Sequence, residues 1–163
     1  MKLGYRAIFL DRDGVINEER KDYVKDLSEF ILIKDSLQAI KLLKEKKYLV
    51  VIITNQSAIN RGLLTIEKLN EIHELLKIKL NKLNTSIDGI YFCPHRPEEN
   101  CLCRKPKPEL ILKAAREHNI DLENSWMIGD SQKDILAAKK AGCNSILLKK
   151  NQKLIDIIRE FVS

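Results

Sequence analysis

Long apolar runs are absent from this sequence of 163 residues, although 44% of its residues are hydrophobic. No segment approaches the roughly 20 apolar residues that cross a bilayer, so the sequence predicts no membrane-spanning segment. The apolar run near the N-terminus stops at Leu10, where charged residues begin. Because that run is too short for a signal peptide, we expect a cytoplasmic protein.

Aromatic residues are scarce as well, at 6% of the chain, and the net charge of +6 comes largely from lysines scattered along it. A basic surface on which aromatic side chains alternate with the cations is typical of nucleic-acid binding. The lysines here lack such aromatic neighbours. We therefore expect a lysine-rich exterior that attracts small anionic ligands, and no nucleic-acid partner.

Cysteine occurs only four times, and no pair has the C-x-x-C spacing of a thioredoxin-like redox motif. In a chain of this size, four cysteines indicate thiols or metal ligands and not a disulfide framework. Cys93, His95, Cys101 and Cys103 lie close together in the stretch CPHRPEENCLC. They would fill a tetrahedral zinc site and leave no position for substrate, which predicts a structural zinc, with unmetallated thiols as the alternative. Cys143 lies apart and is predicted to be a small core residue.

Apolar runs typical of buried strands alternate with amphipathic stretches typical of helices. The predicted strands are residues 5–10, 48–54, 86–92, 125–130 and 144–149, and the predicted helices are residues 35–47, 65–83, 107–119, 131–142 and 152–162. Strict alternation predicts an α/β fold: a Rossmann-like parallel sheet of about five strands with helices on both faces. Because the length allows one core and not two, we expect a single domain over residues 1–163.

Acidic residues follow two of these strands. Asp11 and Asp13 come after the first and Asp130 ends the fourth, so all three should lie at the carboxyl edge of the sheet, where ligands bind. Three crowded carboxylates repel one another unless a cation lies among them, and oxygen ligands favour Mg²⁺. Asp130 could instead cap the next helix, a role that Ser131 could equally fill. Asp134 would support the acids from one helical turn further along.

Two further polar groups belong to the same edge. The residues that follow the second strand are Thr54, Asn55, Gln56 and Ser57. Their hydroxyl and amide groups suit a phosphate, although an ordinary polar turn has a similar composition. Arg104 and Lys105 follow the cysteine cluster, and a lysine fixed beside carboxylates and a phosphate would stabilise negative charge. A solvated lysine is the alternative.

Taken in order, these motifs resemble those of the haloacid dehalogenase (HAD) superfamily of phosphohydrolases. The stretch FLDRDGV resembles its first motif, VVIITNQS its second, Lys105 its third and MIGDSQKD its fourth, and together they extend from about residue 5 to residue 148. The resemblance implies the HAD form of the Rossmann-like fold. It also implies Mg²⁺-dependent hydrolysis of a phosphomonoester through an aspartyl-phosphate intermediate.

The resemblance assigns roles to individual residues. Asp11 would attack phosphorus, and Asp13 would protonate the leaving alkoxide and then activate water. The side chains of Asp11 and Asp130 and the main-chain carbonyl of Asp13 would hold Mg²⁺. The residues expected to bind the phosphoryl oxygens or to recognise the substrate are Thr54, Lys105 and Arg104.

Two stretches resemble a narrower, zinc-containing branch of the superfamily that lacks a large cap domain. They are NQSAINRG, which includes Arg61, and CPH…CLCRKPKP, and Tyr23 lies in a segment similar to that branch's substrate loop. Members of the branch act on D-glycero-D-manno-heptose 1,7-bisphosphate or on histidinol phosphate, and NQSAINRG favours the 7-phosphate of the heptose. The alternatives are histidinol phosphate, a nucleic-acid 3′-phosphate and a non-catalytic phospho-acceptor domain. We expect a monomer.

Overall fold

The computed structural model describes residues 3–163 and is built on one parallel sheet. Its strands are β1 (Ala7–Leu10), β2 (Leu49–Asn55), β3 (Gly89–Cys93), β4 (Trp126–Gly129) and β5 (Asn144–Leu147). Their order across the sheet is β3-β2-β1-β4-β5, which places β1 in the centre. The predicted five-stranded parallel sheet is confirmed.

Five helices cover the sheet: α1 (Ser36–Glu45), α2 (Ile66–Lys82), α3 (Glu109–His118), α4 (Gln132–Ala141) and α5 (Leu154–Val162). Helices α1, α2 and α5 share one hydrophobic cluster with the sheet, and α3 and α4 share the other. The prediction of helices on both faces is therefore confirmed. Within residues 3–163 no second folded unit is inserted as a cap, and the assignment of all 163 residues to the domain stays a prediction.

The central strand shows why a continuous apolar run is needed here. All four residues of β1 are fully buried. Ile8 and Leu10 face the cluster of α1, α2 and α5, whereas Ala7 and Phe9 face that of α3 and α4. Successive side chains of a strand point to opposite faces, so a strand covered on both sides must be apolar at every position.

Strand boundaries differ from the prediction where polar contacts replace sheet pairing. The strand predicted from residue 86 begins at Gly89, because the carboxylate of Asp88 instead accepts hydrogen bonds from Val50 N at 2.8 Å and Lys44 Nζ at 2.6 Å. The first strand begins at Ala7 and not at residue 5, since Tyr5 makes only an isolated bridge. Among the residues described, no helix has the length and apolar character needed to cross a bilayer.

Candidate active site

The carboxyl edge of the sheet opens into a cleft of about 290 Å³. Because β1 lies between β2 and β4, the chain ends of these three strands converge there. The sequence-predicted site residues that line the cleft are Asp11, Asp13, Tyr23, Asn55, Ser57, Arg61, Arg104, Lys105 and Asp130. Thr54 and Gln56 lie beneath it and are buried.

Lys105 joins two acids under the cleft. Its Nζ donates to Asp11 Oδ1 at 3.0 Å, to Asp134 Oδ1 at 2.7 Å and to the Ile53 carbonyl at 2.8 Å. Burial on its own would lower the pKa of Lys105, but Asp11 and Asp134 raise it above its ordinary value. The lysine is thus a fixed, buried cation and not a solvated one.

Asp11 lies in surroundings that disfavour a free carboxylate. Burial, together with the charges of Asp134 and Asp13, raises its pKa to about 8, although Lys105 acts in the opposite direction. A further cation beside a carboxylate in such a place favours its ionised form. The pKa of Asp130 is also raised, by burial and by Asp134.

Carboxylate oxygens of Asp11, Asp130 and Asp134 all lie within 4.8 Å of one another, which is a suitable arrangement for a cation. Asp134 belongs to this cluster, and its Oδ2 accepts a hydrogen bond from Ser131 N at 3.2 Å. Ser131 also caps α4, accepting from Lys133 N at 3.1 Å, so Asp130 is not needed as a cap.

Gly14 allows Asp130 to approach the first loop. A Cβ at this position would lie 2.0 Å from Asp130 Oδ2, and the residue has a φ of +87°, which side chains disfavour. Glycine in the stretch DRDG is therefore required by the close packing of this loop against Asp130, which follows β4.

The Asp13 carboxylate is held by four hydrogen bonds. Its Oδ1 accepts from Arg12 Nη2 at 2.8 Å, Arg12 Nε at 3.2 Å and Asn17 Nδ2 at 2.8 Å, and its Oδ2 accepts from Gln56 Nε2 at 2.9 Å. Arg12 and Asn17 are fully buried, and neither is among the site residues predicted from the sequence. The only signal in the sequence is their place inside the motif DRDGVIN.

The polar residues after β2 mostly contact other parts of the protein. The second hydrogen bond of Gln56 Nε2 goes to Thr54 Oγ1 at 3.0 Å, and Gln56 N donates to the Cys93 carbonyl at 2.7 Å. The Asn55 side chain pairs with the main chain of Lys105, donating to its carbonyl at 3.2 Å and accepting from its N at 3.1 Å. The two amide side chains therefore position Asp13 and Lys105.

Three larger side chains form the rim of the cleft. The Arg61 guanidinium lies 5.8 Å from the Tyr23 ring centre, and Arg61 Nε donates to Ser57 Oγ at 3.3 Å. Tyr23 has a φ of 68°, which is uncommon for a residue with a side chain. Arg104 lines the opposite part of the rim, where its Nη1 donates to the His95 carbonyl at 3.2 Å. This bond ties the rim to the cysteine loop.

Cys93, His95, Cys101 and Cys103 form a compact second cluster. Five contacts between their Sγ and Nδ1 atoms measure 3.0 to 3.8 Å. Tetrahedral zinc with Zn–S bonds of about 2.3 Å would place its ligand atoms roughly 3.5 to 3.8 Å apart. The four side chains therefore fit a metal ion. Cys143 lies elsewhere, buried beside α4, where burial raises its pKa to about 12.

The fold and the site together define a class of protein. A loop that carries two aspartates leaves the central strand, a buried lysine contacts the first of them, and further acids follow β4. This combination is that of the HAD-type phosphohydrolases. β3 ends at Cys93, in the cysteine and histidine cluster, and not at the aspartate that a phospho-acceptor domain would place there.

Comparisons with known proteins agree with this class. A profile of HAD-hydrolase-like proteins matches residues 102–158. A D-glycero-β-D-manno-heptose-1,7-bisphosphate 7-phosphatase of Helicobacter pylori is 49% identical over 148 residues, which is 90% of this chain and 84% of that protein. The chain therefore belongs to the D-glycero-β-D-manno-heptose-1,7-bisphosphate 7-phosphatase family of HAD-like hydrolases, and it is a phosphatase.

Solved structures support the same placement. The crystal structure of D,D-heptose 1,7-bisphosphate phosphatase from Bordetella bronchiseptica, complexed with magnesium and phosphate, matches with a TM-score of 0.86 and 37% identity. The match covers 96% of this chain and 86% of that one. The corresponding enzyme of Burkholderia thailandensis matches with a TM-score of 0.69 and 25% identity, over 97% of this chain and 99% of that one.

Proposed function

We propose that the protein removes the 7-phosphate of D-glycero-D-manno-heptose 1,7-bisphosphate and so acts in carbohydrate metabolism. The observation that carries the chemistry is Asp11 at the end of the central strand, bonded to buried Lys105 and followed by Asp13. The names of the curated relatives support the choice of substrate.

In the first step, a carboxylate oxygen of Asp11 attacks phosphorus while the bond from phosphorus to the sugar oxygen breaks. Asp13 transfers a proton to that oxygen, so the sugar leaves as an alcohol. Asp11 is then an acyl phosphate. The four hydrogen bonds on the Asp13 carboxylate hold it in one orientation for this transfer.

In the second step, water attacks phosphorus and the bond between phosphorus and Asp11 breaks. Asp13 accepts a proton from the water, which returns both acids to their starting states and releases inorganic phosphate. Lys105 and the Thr54 hydroxyl stabilise the phosphoryl oxygens. Main-chain and hydroxyl groups of Asn55 and Ser57 supply further donors, whereas Gln56 acts by orienting Asp13 and Thr54.

We further propose that Mg²⁺ is bound by the side chains of Asp11 and Asp130 and by the Asp13 carbonyl. When bound, it offsets the negative charge of the nucleophile and of the phosphate. The raised pKa of Asp11 and the crowded acids support this site, as does the magnesium in the Bordetella bronchiseptica structure.

The four-residue cysteine and histidine cluster is proposed to hold Zn²⁺ with a structural role. Four protein ligands complete a tetrahedral shell and leave no position for substrate. The cluster precedes Arg104 and Lys105 directly, so a metal there would fix the loop that places both cations at the cleft.

The rest of the substrate is proposed to contact Tyr23, Arg61 and Arg104 at the rim. Their cationic and aromatic groups suit a small phosphorylated sugar. A monomeric state and a cytoplasmic location complete the proposal, and both remain predictions from the sequence.

A substrate panel tests the function. Phosphate release should be measured with Mg²⁺ on the heptose bisphosphate, on histidinol phosphate and on a 3′-phosphorylated oligonucleotide. We expect the highest kcat/KM on the heptose bisphosphate. Faster turnover of histidinol phosphate would overturn the proposed substrate and keep the phosphatase. No release from any phosphomonoester would overturn the mechanism.

A further inference from the structure

Beside Asp13 lies a buried cation whose second contact, on the side away from Asp13, the two chemical steps leave unexplained. Arg12 follows the nucleophile in the chain and is fully buried, and its guanidinium stands 5.6 Å from the ring centre of Phe30. A buried guanidinium must be paired and hydrogen-bonded, because removing its charge from water is costly. Asp13 supplies the pairing charge at 2.8 Å.

The far end of the guanidinium contacts a histidine on another element. Arg12 Nη1 lies 3.1 Å from His73 Nε2, which belongs to α2 and is 61 residues away in the chain. Arginine has only donors, so His73 Nε2 must be the acceptor and the imidazole proton must lie on Nδ1. Burial and the charge of Arg12 lower the pKa of His73 to about 3, which keeps the ring neutral.

His73 interrupts an otherwise apolar surface. The other buried residues of α2 are Leu69, Ile72, Leu76 and Leu80. His73 is only 6% exposed, and packing at this position would be served equally well by an apolar side chain. Its one side-chain hydrogen-bond contact within residues 3–163 is with Arg12.

The two contacts of Arg12 have a geometric consequence. Its Nε and Nη2 both donate to Asp13 Oδ1, while Nη1 is held by His73. A planar guanidinium fixed at Nη1 cannot turn its other edge, so the carboxylate that it contacts keeps one direction. Gln56 then holds the second oxygen of Asp13.

We propose that His73 and Arg12 are positioning residues for Asp13. His73 orients the guanidinium, and the guanidinium orients the carboxylate that exchanges a proton with the leaving group. This inference rests on the proposed function, because it concerns the proton transfer to the sugar oxygen. Neither residue touches substrate in this role.

The test compares two leaving groups. A sugar alkoxide needs the proton from Asp13, whereas nitrophenolate leaves without one. Loss of Asp13 orientation should therefore lower kcat/KM on the heptose bisphosphate and leave that on p-nitrophenyl phosphate nearly unchanged. A change that merely loosens the fold should lower both together, since both substrates need Asp11 and the phosphate-binding groups.

Two substitutions at His73 separate the effect of losing its hydrogen-bond acceptor from the effect of changing its side-chain volume. His73→Leu removes the acceptor, and we expect kcat/KM on the heptose bisphosphate to fall by about 10- to 100-fold, against about threefold or less on p-nitrophenyl phosphate. His73→Gln keeps an acceptor oxygen and should stay within about threefold of the parent on both substrates. His118→Leu, which removes a half-buried imidazole packed on Tyr91, is the matched control and should leave both rates unchanged.

A uniform loss on both substrates, or no loss in His73→Leu, would overturn the inference. If His73→Leu does not fold, Arg12→Lys serves the same purpose, because it keeps the positive charge and removes the planar guanidinium. The same selective loss is expected, and a uniform loss on both substrates contradicts the inference. A parent protein that does not hydrolyse the heptose bisphosphate overturns the proposed function instead, so the two failures are distinct.

Discussion

Two clusters of potential metal ligands lie next to Arg104 and Lys105. They differ in how much of a metal ion's coordination shell the protein supplies. The acidic cluster offers carboxylates from Asp11, Asp130 and Asp134 at an open cleft. The cysteine and histidine cluster brings together four ligand atoms from the end of β3 and the loop that follows it, and it includes the fully buried Cys93. A cation among the acids would keep positions for phosphate and water, whereas a tetrahedral ion in the loop would keep none.

The two clusters also differ in how the chain holds them, which is why we assign the chemistry to the acidic cluster and a supporting role to the other. Asp11 and Asp130 directly follow two adjacent strands, so the rigid sheet fixes their separation, and Asp134 is held in the first turn of α4. Cys93 ends β3, but His95, Cys101 and Cys103 come from the long connection that follows it, and without cross-linking such a loop has little to fix its shape. Lys105 links the two, because it follows the cysteine loop and donates to Asp11 and Asp134.

The largest effect is expected from Asp11→Asn. An amide is a poor nucleophile, so phosphate release should fall by at least about 10⁴-fold, as when other hydrolases lose their nucleophile. The fold should persist, because Lys105 keeps Asp134 and the Ile53 carbonyl as partners. Phosphate release and thermal unfolding measure both effects, and Asp156→Asn on the exposed start of α5 is the control. If Asp11→Asn hydrolysed substrate like the parent, another residue would have to be the nucleophile.

Replacing Lys105 by Met should affect both activity and stability. The change leaves Asp11 and Asp134 without their shared cation, so we expect activity to fall by about 10²- to 10³-fold. Breaking a buried ion pair from one side should also lower the free energy of unfolding by about 3–5 kcal/mol. Kinetics and urea unfolding test this, with exposed Lys139→Met as the control. An unchanged rate would show that the charge of Lys105 does not contribute to catalysis.

Removing zinc should have a smaller, indirect effect on catalysis. Chelation followed by addition of Mg²⁺ alone should leave the activity down by about tenfold or more and the melting temperature lowered, because the loop that carries Arg104 loses its anchor. Zn²⁺ should restore both. Cys101→Ser should reproduce the defect, whereas Cys143→Ser, outside the cluster, should bind zinc normally. Full recovery with Mg²⁺ alone would contradict a supporting role for the cluster.

The smallest effect concerns pH and the metal-free protein. The pKa of Asp11 rises from 3.8 to about 8 on folding, so its contribution to stability is complete below about pH 4 and is lost as the pH rises through about 8. The melting temperature without Mg²⁺ should therefore fall across this interval, and Asp11→Asn should flatten the fall. Added Mg²⁺ at pH 7 should stabilise the parent and not the variant. Equal slopes for both proteins would contradict the raised pKa.

Much of the fold could be predicted because local patterns determine it. Every predicted strand and helix is present, with shifts of a few residues at the ends. The start of β3 shows a tertiary cause, because the carboxylate of Asp88 accepts from Val50 N and from Lys44, a partner 44 residues away. The convergence of Asp11, Asp13 and Asp130 on one cleft also followed from the sequence, since parallel strands end at one edge.

The positions behind the cleft could not be predicted in the same way. Asn55 and Gln56 are polar residues at a strand end, and the sequence does not say whether they face a ligand or another side chain. In the structure they hold Lys105 and Asp13. His73 lies within an amphipathic helix, and its partner Arg12 is revealed only by the three-dimensional packing.

Trapping the intermediate tests most directly whether the acidic cluster carries the chemistry. The enzyme should be quenched with acid during turnover of labelled heptose bisphosphate, and its peptides should then be mapped by mass spectrometry. We expect phosphate on Asp11, in the peptide that contains DRDGVIN, and no phosphate in Asp11→Asn. Phosphate on the loop from Cys93 to Cys103, or turnover with Asp11 never phosphorylated, would contradict the division of roles between the two clusters.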